Sequence, residues 1–177
     1  LVIVSDGYDI RKLIPYSKSI RHVHLPERLT IGAKRNYATT FASGEIIAHW
    51  DDDDWSSPGR LAEQVAMLEN SGKAVAGYHS MLFTDGPNWW RFSHHQPYAI
   101  GTSLCYQKSF WQDHPFEAKQ IGEDGAFQKT AAKAKQLVSA DGREMMVASV
   151  HPGNTSKKIV QNYAVVARPE GIGSPFE

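Results

Sequence analysis

Only one of the 177 residues is a cysteine, Cys105. It cannot close an internal disulfide, so nothing here needs an oxidising compartment, and a cytoplasmic location is the simpler expectation. A surplus of charge of one sign is missing as well, since 19 Lys and Arg stand against 19 Asp and Glu. That balance argues against a protein that wraps nucleic acid by bulk attraction to phosphates, while leaving room for a local anion site. No apolar run approaches the roughly 18 residues of a membrane span, and no basic segment followed by an apolar one reads as a signal peptide. Repeats, heptads and low-complexity tracts are also lacking. With 41% hydrophobic and 21% charged residues, the composition excludes a disordered or fibrous chain. Its length fits one domain of ordinary size.

What is present is an alternation of apolar runs and helical stretches through the first 80 residues or so, the pattern of an α/β unit with a largely parallel sheet. Leu1 to Ser5 reads as a buried strand, so the chain begins inside the fold. A second strand covers Arg21 to Leu25 and is ended by Pro26. Thr30 is placed to cap a helix running to about Ser43, with Gly44 as its left-handed terminator. Glu45 to Trp50 is strand again, followed by Asp51 to Asp54, and Ser57-Pro58 opens a helix that Gly72 closes. Ala74 to Tyr78 is a strand, and the aromatic stretch to Tyr98 is a hairpin around Asp85-Gly86-Pro87. Gly101 to Tyr106 should be a buried strand, Gln107 to Trp111 a short helix, Glu123 to about Ala134 a helix, and Met145 to His151 a last strand. The residues from Ala167 onward read as loop or disordered.

Four adjacent carboxylates repel one another, so a run such as Asp51 to Asp54 needs a cation, a basic partner or full solvation. Its position at the carboxyl end of a strand matters, because ligands of open α/β sheets bind beyond such ends. Carboxylate oxygens suit Mg²⁺ or Mn²⁺, and in an extended segment Asp51 and Asp53 share a face. On the residues alone, a metal and phosphate site, a solvated acidic loop and a helix cap all remain open. Asp124, at the head of a helix, reads on the residues alone as a carboxylate that satisfies the helix end.

The segment Ile31-Gly-Ala-Lys-Arg-Asn36, followed by Ala42-Ser-Gly-Glu and by Asp51-Asp-Asp-Asp-Trp-Ser-Ser-Pro-Gly-Arg60, resembles the nucleotide-sugar half of the family 2 glycosyltransferases. The resemblance is strongest over residues 1 to 65 and returns at Gly122-Glu123-Asp124 and at Val150-His-Pro-Gly-Asn-Thr-Ser156. It implies the GT-A fold, an α/β sandwich of a mostly parallel central sheet flanked by helices, here lacking the family's usual first strand before Leu1. Residues 1–166 would form one such domain, nucleotide-binding to about residue 80 and acceptor-side from 81 to 166, with 167–177 as a tail. The implied activity is inverting transfer of a sugar from a nucleotide-diphosphate donor, UDP favoured, to an acceptor hydroxyl on a sugar, a lipid-linked molecule or a protein. Carried over by position, Asp6, Arg35, Asp51 and Asp52 would hold the nucleotide. Asp53 and His151 would hold Mn²⁺ or Mg²⁺, and Asp124 would be the base. Relatives that use lipid-linked acceptors can sit peripherally at a membrane, which leaves that association open.

The rivals are a nucleotidyltransferase of similar fold, for which the basic Gly-rich phosphate loop after the first strand is missing, and a truncated, non-catalytic nucleotide- or carbohydrate-binding domain. Trp89, Trp90, Phe92, His94, His95 and Tyr98 either cover the sheet edge or line an acceptor pocket. Trp55 and Trp111 are open between core packing and sugar contact. Arg60 is expected to position the aspartate loop through a salt bridge, and Cys105 to be a buried, inert thiol.

Overall fold

The computed structural model describes residues 1–156 and 158–177. In chain order they form β1 (Val2–Asp6), β2 (Arg21–Leu25), α1 (Ile31–Phe41), β3 (Ile46–Ala48), β4 (Trp55–Ser56), α2 (Arg60–Ser71), β5 (Val75–Thr84) and β6 (Trp89–Ser93). A 3₁₀ turn at Gly101–Ser103 leads to β7 (Cys105–Gln107), α3 (Lys108–Asp113), α4 (Glu123–Lys133), β8 (Leu137–Asp141), β9 (Met146–Ser149) and β10 (Ala164–Val166).

Local chemistry accounts for the helix ends. The Thr30 hydroxyl accepts from the Ala33 amide at 3.4 Å and starts α1. This helix stops at Phe41, short of the expected Ser43, because Ala42 turns extended and its carbonyl is taken by the Lys108 ammonium at 2.6 Å. Gly44 accordingly carries no left-handed φ. Gly72 does, at 64°, and closes α2 by donating its amide to the Leu68 carbonyl. That conformation costs glycine little because it has no Cβ. Ser57 accepts from the Gly59 amide, and α2 begins only at Arg60.

β1 and β2 form a parallel pair by themselves. The larger sheet runs β10-β6-β5-β7-β3, with β8 and β9 alongside β5 and β4 on β9. It is mixed, where the alternation of elements suggested mostly parallel pairing. β5 is parallel to β8 and β9 but antiparallel to β6 and β7, and β3 with β7, β4 with β9 and β10 with β6 are also antiparallel. The β5–β6 hairpin imposes part of this, since a tight turn can only join antiparallel neighbours.

β5 is buried along nearly its whole length, as a central strand covered on both faces should be. On one face Val75 packs with Leu104, Tyr106, Phe110, Phe116 and Phe127, below α3 and α4. On the other, Ala76 and Cys105 meet Leu68 of α2. Cys105 is 1% exposed and burial pushes its thiol up to about 11, in keeping with an inert side chain. Residues 167–177 hold no regular element, yet they are not free. Ile172 packs with Leu82, Trp89 and Val147, and Gly173 lies directly under the Trp55 indole.

Candidate active site

Asp51 to Asp54 follow β3 as a turn, not as extended chain. The turn curls the last carboxylate back, so Asp51, Asp53 and Asp54 each offer an oxygen within 4.8 Å of the others. Asp52 is exposed. Asp53 Oδ2 accepts from His151 Nε2 at 2.8 Å, from the Ser149 hydroxyl at 3.1 Å and from Asn154 Nδ2 at 3.4 Å. Burial pushes its carboxyl up, but the bonds from His151 and Ser149 outweigh this and leave it below the usual range. Because Gly153 donates its amide to His151 Nδ1, a neutral imidazole here carries its proton on Nε2 and donates it to Asp53. Asp54 is a different kind of group. Its two oxygens accept from the Ser149 amide at 3.0 Å and the Thr102 hydroxyl at 2.8 Å. Burial, joined by the charges of Asp51 and Asp53, still pushes it up to about 6.

The loop is held from below by Arg60, which is 0% exposed. Its guanidinium donates to the His49 carbonyl at 2.8 Å, the Thr102 carbonyl at 3.0 Å, the Ser56 hydroxyl at 3.0 Å and Gln64 Oε1 at 3.3 Å. The exposed Trp50 ring covers it at 4.7 Å. Arg60 thus positions the aspartate loop, but through backbone carbonyls and not through the expected salt bridge. Those acceptors meet the need of a buried guanidinium for partners in a fixed fork.

Asp124 lies in the first turn of α4 and accepts from the Gly125 amide at 2.7 Å. Its other oxygen sits against Gly101, where an added Cβ would meet it at 1.7 Å. The neighbouring Glu123 is buried and pairs with Arg35 Nη1 at 3.2 Å, joining α4 to α1. Asp6, at the end of β1, pairs with Lys34 at 2.7 Å and accepts from the Leu29 amide. Burial raises its carboxyl, and Lys34 and Leu29 more than offset that. His49 is held neutral, first by burial and then by Arg35, between the Gly101 carbonyl and the Tyr106 hydroxyl.

Residues 2–128 match the family model described as Glycosyl transferase family 2. The chain belongs to that family. Among solved structures it is similar to S. aureus TarS residues 1–349 in complex with UDP-GlcNAc, with a TM-score of 0.68 and 17% identity over 87% of this chain and 50% of that one. The mannosyltransferase PcManGT from Pyrobaculum calidifontis, in complex with GDP-Man and Mn²⁺, gives a TM-score of 0.56 and 16% identity over 77% of this chain and 41% of that one. These likenesses bear out the GT-A-like fold, with the chain spanning about half the length of the structures it matches. None of the curated proteins matches it in sequence.

The acidic centre gathers one carboxylate more than its sequence suggested. The structure joins Asp53 to His151 and brings Asp51 beside Asp53. Asp54 was missed because alternation along an extended segment points it away. Asp6 and Arg35 engage Lys34 and Glu123, and the Gly101–Ser103 turn touches Asp124 on one side and Asp54 on the other. Trp55 lies over Gly173, and Trp111 donates to Asn36 Oδ1 at 2.8 Å. Trp89 is core, whereas His94 stacks on Tyr98 at 4.2 Å on the exposed side of the hairpin. A recess of about 530 Å³ lies elsewhere, lined by Leu82, Arg91, Asp141, Arg143 and Met145, and contains none of these carboxylates.

Proposed function

We propose that this chain carries the donor site and base of a glycosyltransferase that moves a sugar from a nucleotide-diphosphate donor to an acceptor hydroxyl with inversion. The observation that carries the reading is the convergence of Asp51, Asp53 and Asp54 beyond a strand end, with Asp124 seated one residue along from the group that binds Asp54. Three crowded carboxylates with hard oxygen donors fit Mn²⁺ or Mg²⁺. Asp53 would hold the ion, with His151 completing the set as the neutral tautomer whose proton sits on Nδ1, which gives up the Gly153 amide and bares Nε2. Such an ion, when bound, neutralises charge on the departing diphosphate. Asp6, Arg35, Asp51 and Asp52 would hold the nucleotide. In the transfer, Asp124 takes the acceptor hydroxyl's proton as that oxygen bonds to the anomeric carbon and the bond to the diphosphate oxygen breaks.

UDP is the favoured nucleotide, supported by the UDP-GlcNAc of TarS, and the Mn²⁺ beside GDP-Man in PcManGT supports a divalent ion. No helix among the described residues is long and apolar enough to cross a membrane. The reading carries a cytoplasmic location, supported by the lone buried thiol.

Calorimetric titration of UDP, then GDP, with Mn²⁺ and again with EDTA tests it. Binding should require the metal and be lost in Asp53→Asn, whereas Asp124→Asn should bind normally and lose turnover of the donor. If neither nucleotide binds in any condition, the reading falls to a non-catalytic domain.

A further inference from the structure

One short element stands between the acidic loop and Asp124. The 3₁₀ turn Gly101–Ser103 is buried at all three residues. Its first residue seats Asp124: a Cβ on Gly101 would lie 1.7 Å from Asp124 Oδ2 and 2.5 Å from Cγ, so the carboxyl group fills the space any other side chain would take. Its second residue faces the opposite group, with the Thr102 hydroxyl donating to Asp54 Oδ2 at 2.8 Å. The third locks the turn in place. Ser103 Oγ donates to the Ile100 carbonyl at 2.7 Å and accepts from the Tyr78 amide at 2.8 Å, while its carbonyl accepts from Gln64 Nε2. Together with the Arg60 bond to the Thr102 carbonyl, these contacts anchor the turn to β5 and α2.

We infer that Gly101 and Thr102 are positioning residues, and that this turn sets the distance between the base and the carboxylate cluster. The inference rests on the roles proposed above for Asp124 and the aspartates. Adjacent residues are about 3.8 Å apart at Cα, so a two-residue link gives the two acids little freedom relative to each other. An in-line displacement needs that, because a shift of roughly 1 Å in a reacting group can cost on the order of 100-fold in rate. No loop or long side chain intervenes to absorb an error.

The test uses Gly101→Ala, Thr102→Val and Thr102→Ser, each first checked for folding by its melting temperature. Gly101→Ala should bind UDP with Mn²⁺ within about 2-fold of the parent yet hydrolyse the sugar nucleotide on the order of 100-fold more slowly. Its crystal structure should show Asp124 Oδ2 displaced by about 1 Å or more, since a contact so far inside van der Waals distance must be relieved. Thr102→Val should weaken metal-dependent UDP binding roughly tenfold, as expected for a lost bond to a charged acceptor, and Thr102→Ser should restore it. If Gly101→Ala does not fold, adding Asp124→Gly removes the clash and should recover the melting temperature; a double variant that stays unfolded overturns the seat. An unmoved Asp124 in Gly101→Ala, or parental binding by Thr102→Val, overturns the inference. A parent that binds neither UDP nor GDP removes the proposed function instead, and the position of Asp124 in the variant crystal still decides whether Gly101 seats it.

Discussion

Asp54 bears the least favourable charge in the acidic loop. Its burial and its two aspartate neighbours raise its pKa to about 6, whereas an unfolded chain would release the same proton near pH 4, at about 3.9. Between these values the folded state keeps a proton that the unfolded state has lost, so this residue's contribution to stability falls as pH rises and is gone above about 6. Asp54→Asn removes the charge while keeping an oxygen for the Ser149 amide. Measured by urea unfolding in EDTA, the variant should match the parent near pH 4 and exceed it by about 2 kcal/mol at pH 7. A difference that does not change with pH would show that Asp54 is already ionised at no cost. Mn²⁺ at pH 7 should raise the parent's melting temperature more than the variant's. The run of aspartates told that Asp51 and Asp53 could meet, but not that Asp54 joins them. That depended on a turn where an extended segment was expected, and four identical residues give no sign of the curl.

At the scale of elements, Arg60 ties the start of α2 to the end of β3 and to the 3₁₀ turn. Arg60→Met keeps the bulk but leaves the His49 and Thr102 carbonyls without these donors. Each buried acceptor left unpaired costs about 1 to 3 kcal/mol, so a loss of about 3 kcal/mol or more is expected in urea unfolding. Arg60→Lys should recover only part, because one ammonium cannot reproduce a planar fork aimed at several oxygens. An Arg60→Met chain as stable as the parent would mean that water reaches those carbonyls.

The helices were legible because their caps and closing residues act locally: Thr30, Gly72 and the Glu123 start all hold. Strands β4, β8 and β10 were not foreseen, being two, five and three residues long and held by neighbours distant in sequence. Short strands carry little signal of their own, since their pairing is decided by what packs against them. The same reason explains the mixed sheet, because alternation of elements says nothing about the direction in which β7 lies between β5 and β3.

At the scale of the whole molecule, the last residues support the acidic loop from behind. Trp55 comes directly after Asp54, pairs with Val147 of β9, and packs on Gly173. β9 then ends at Ser149, which donates to both Asp53 and Asp54. Arg168 adds an ion pair to Glu177 and stands 5.4 Å over the Trp89 ring. Deleting residues 168–177 should therefore uncover Trp55 and Trp89, shift tryptophan emission to the red and lower stability by about 2 to 4 kcal/mol, from the apolar area returned to water. Metal-dependent UDP binding should weaken with it, because β4 and the end of β9 lose their backing. Mn²⁺ and UDP in excess should recover part of the stability, as a ligand that binds only the folded state does. The decisive comparison is between the two effects. Emission that shifts without any change in UDP binding would make the tail a cover for the sheet edge alone. Loss of both together would place residues more than 100 positions from the aspartates among the supports of the site, a dependence that no local pattern in residues 167–177 announces.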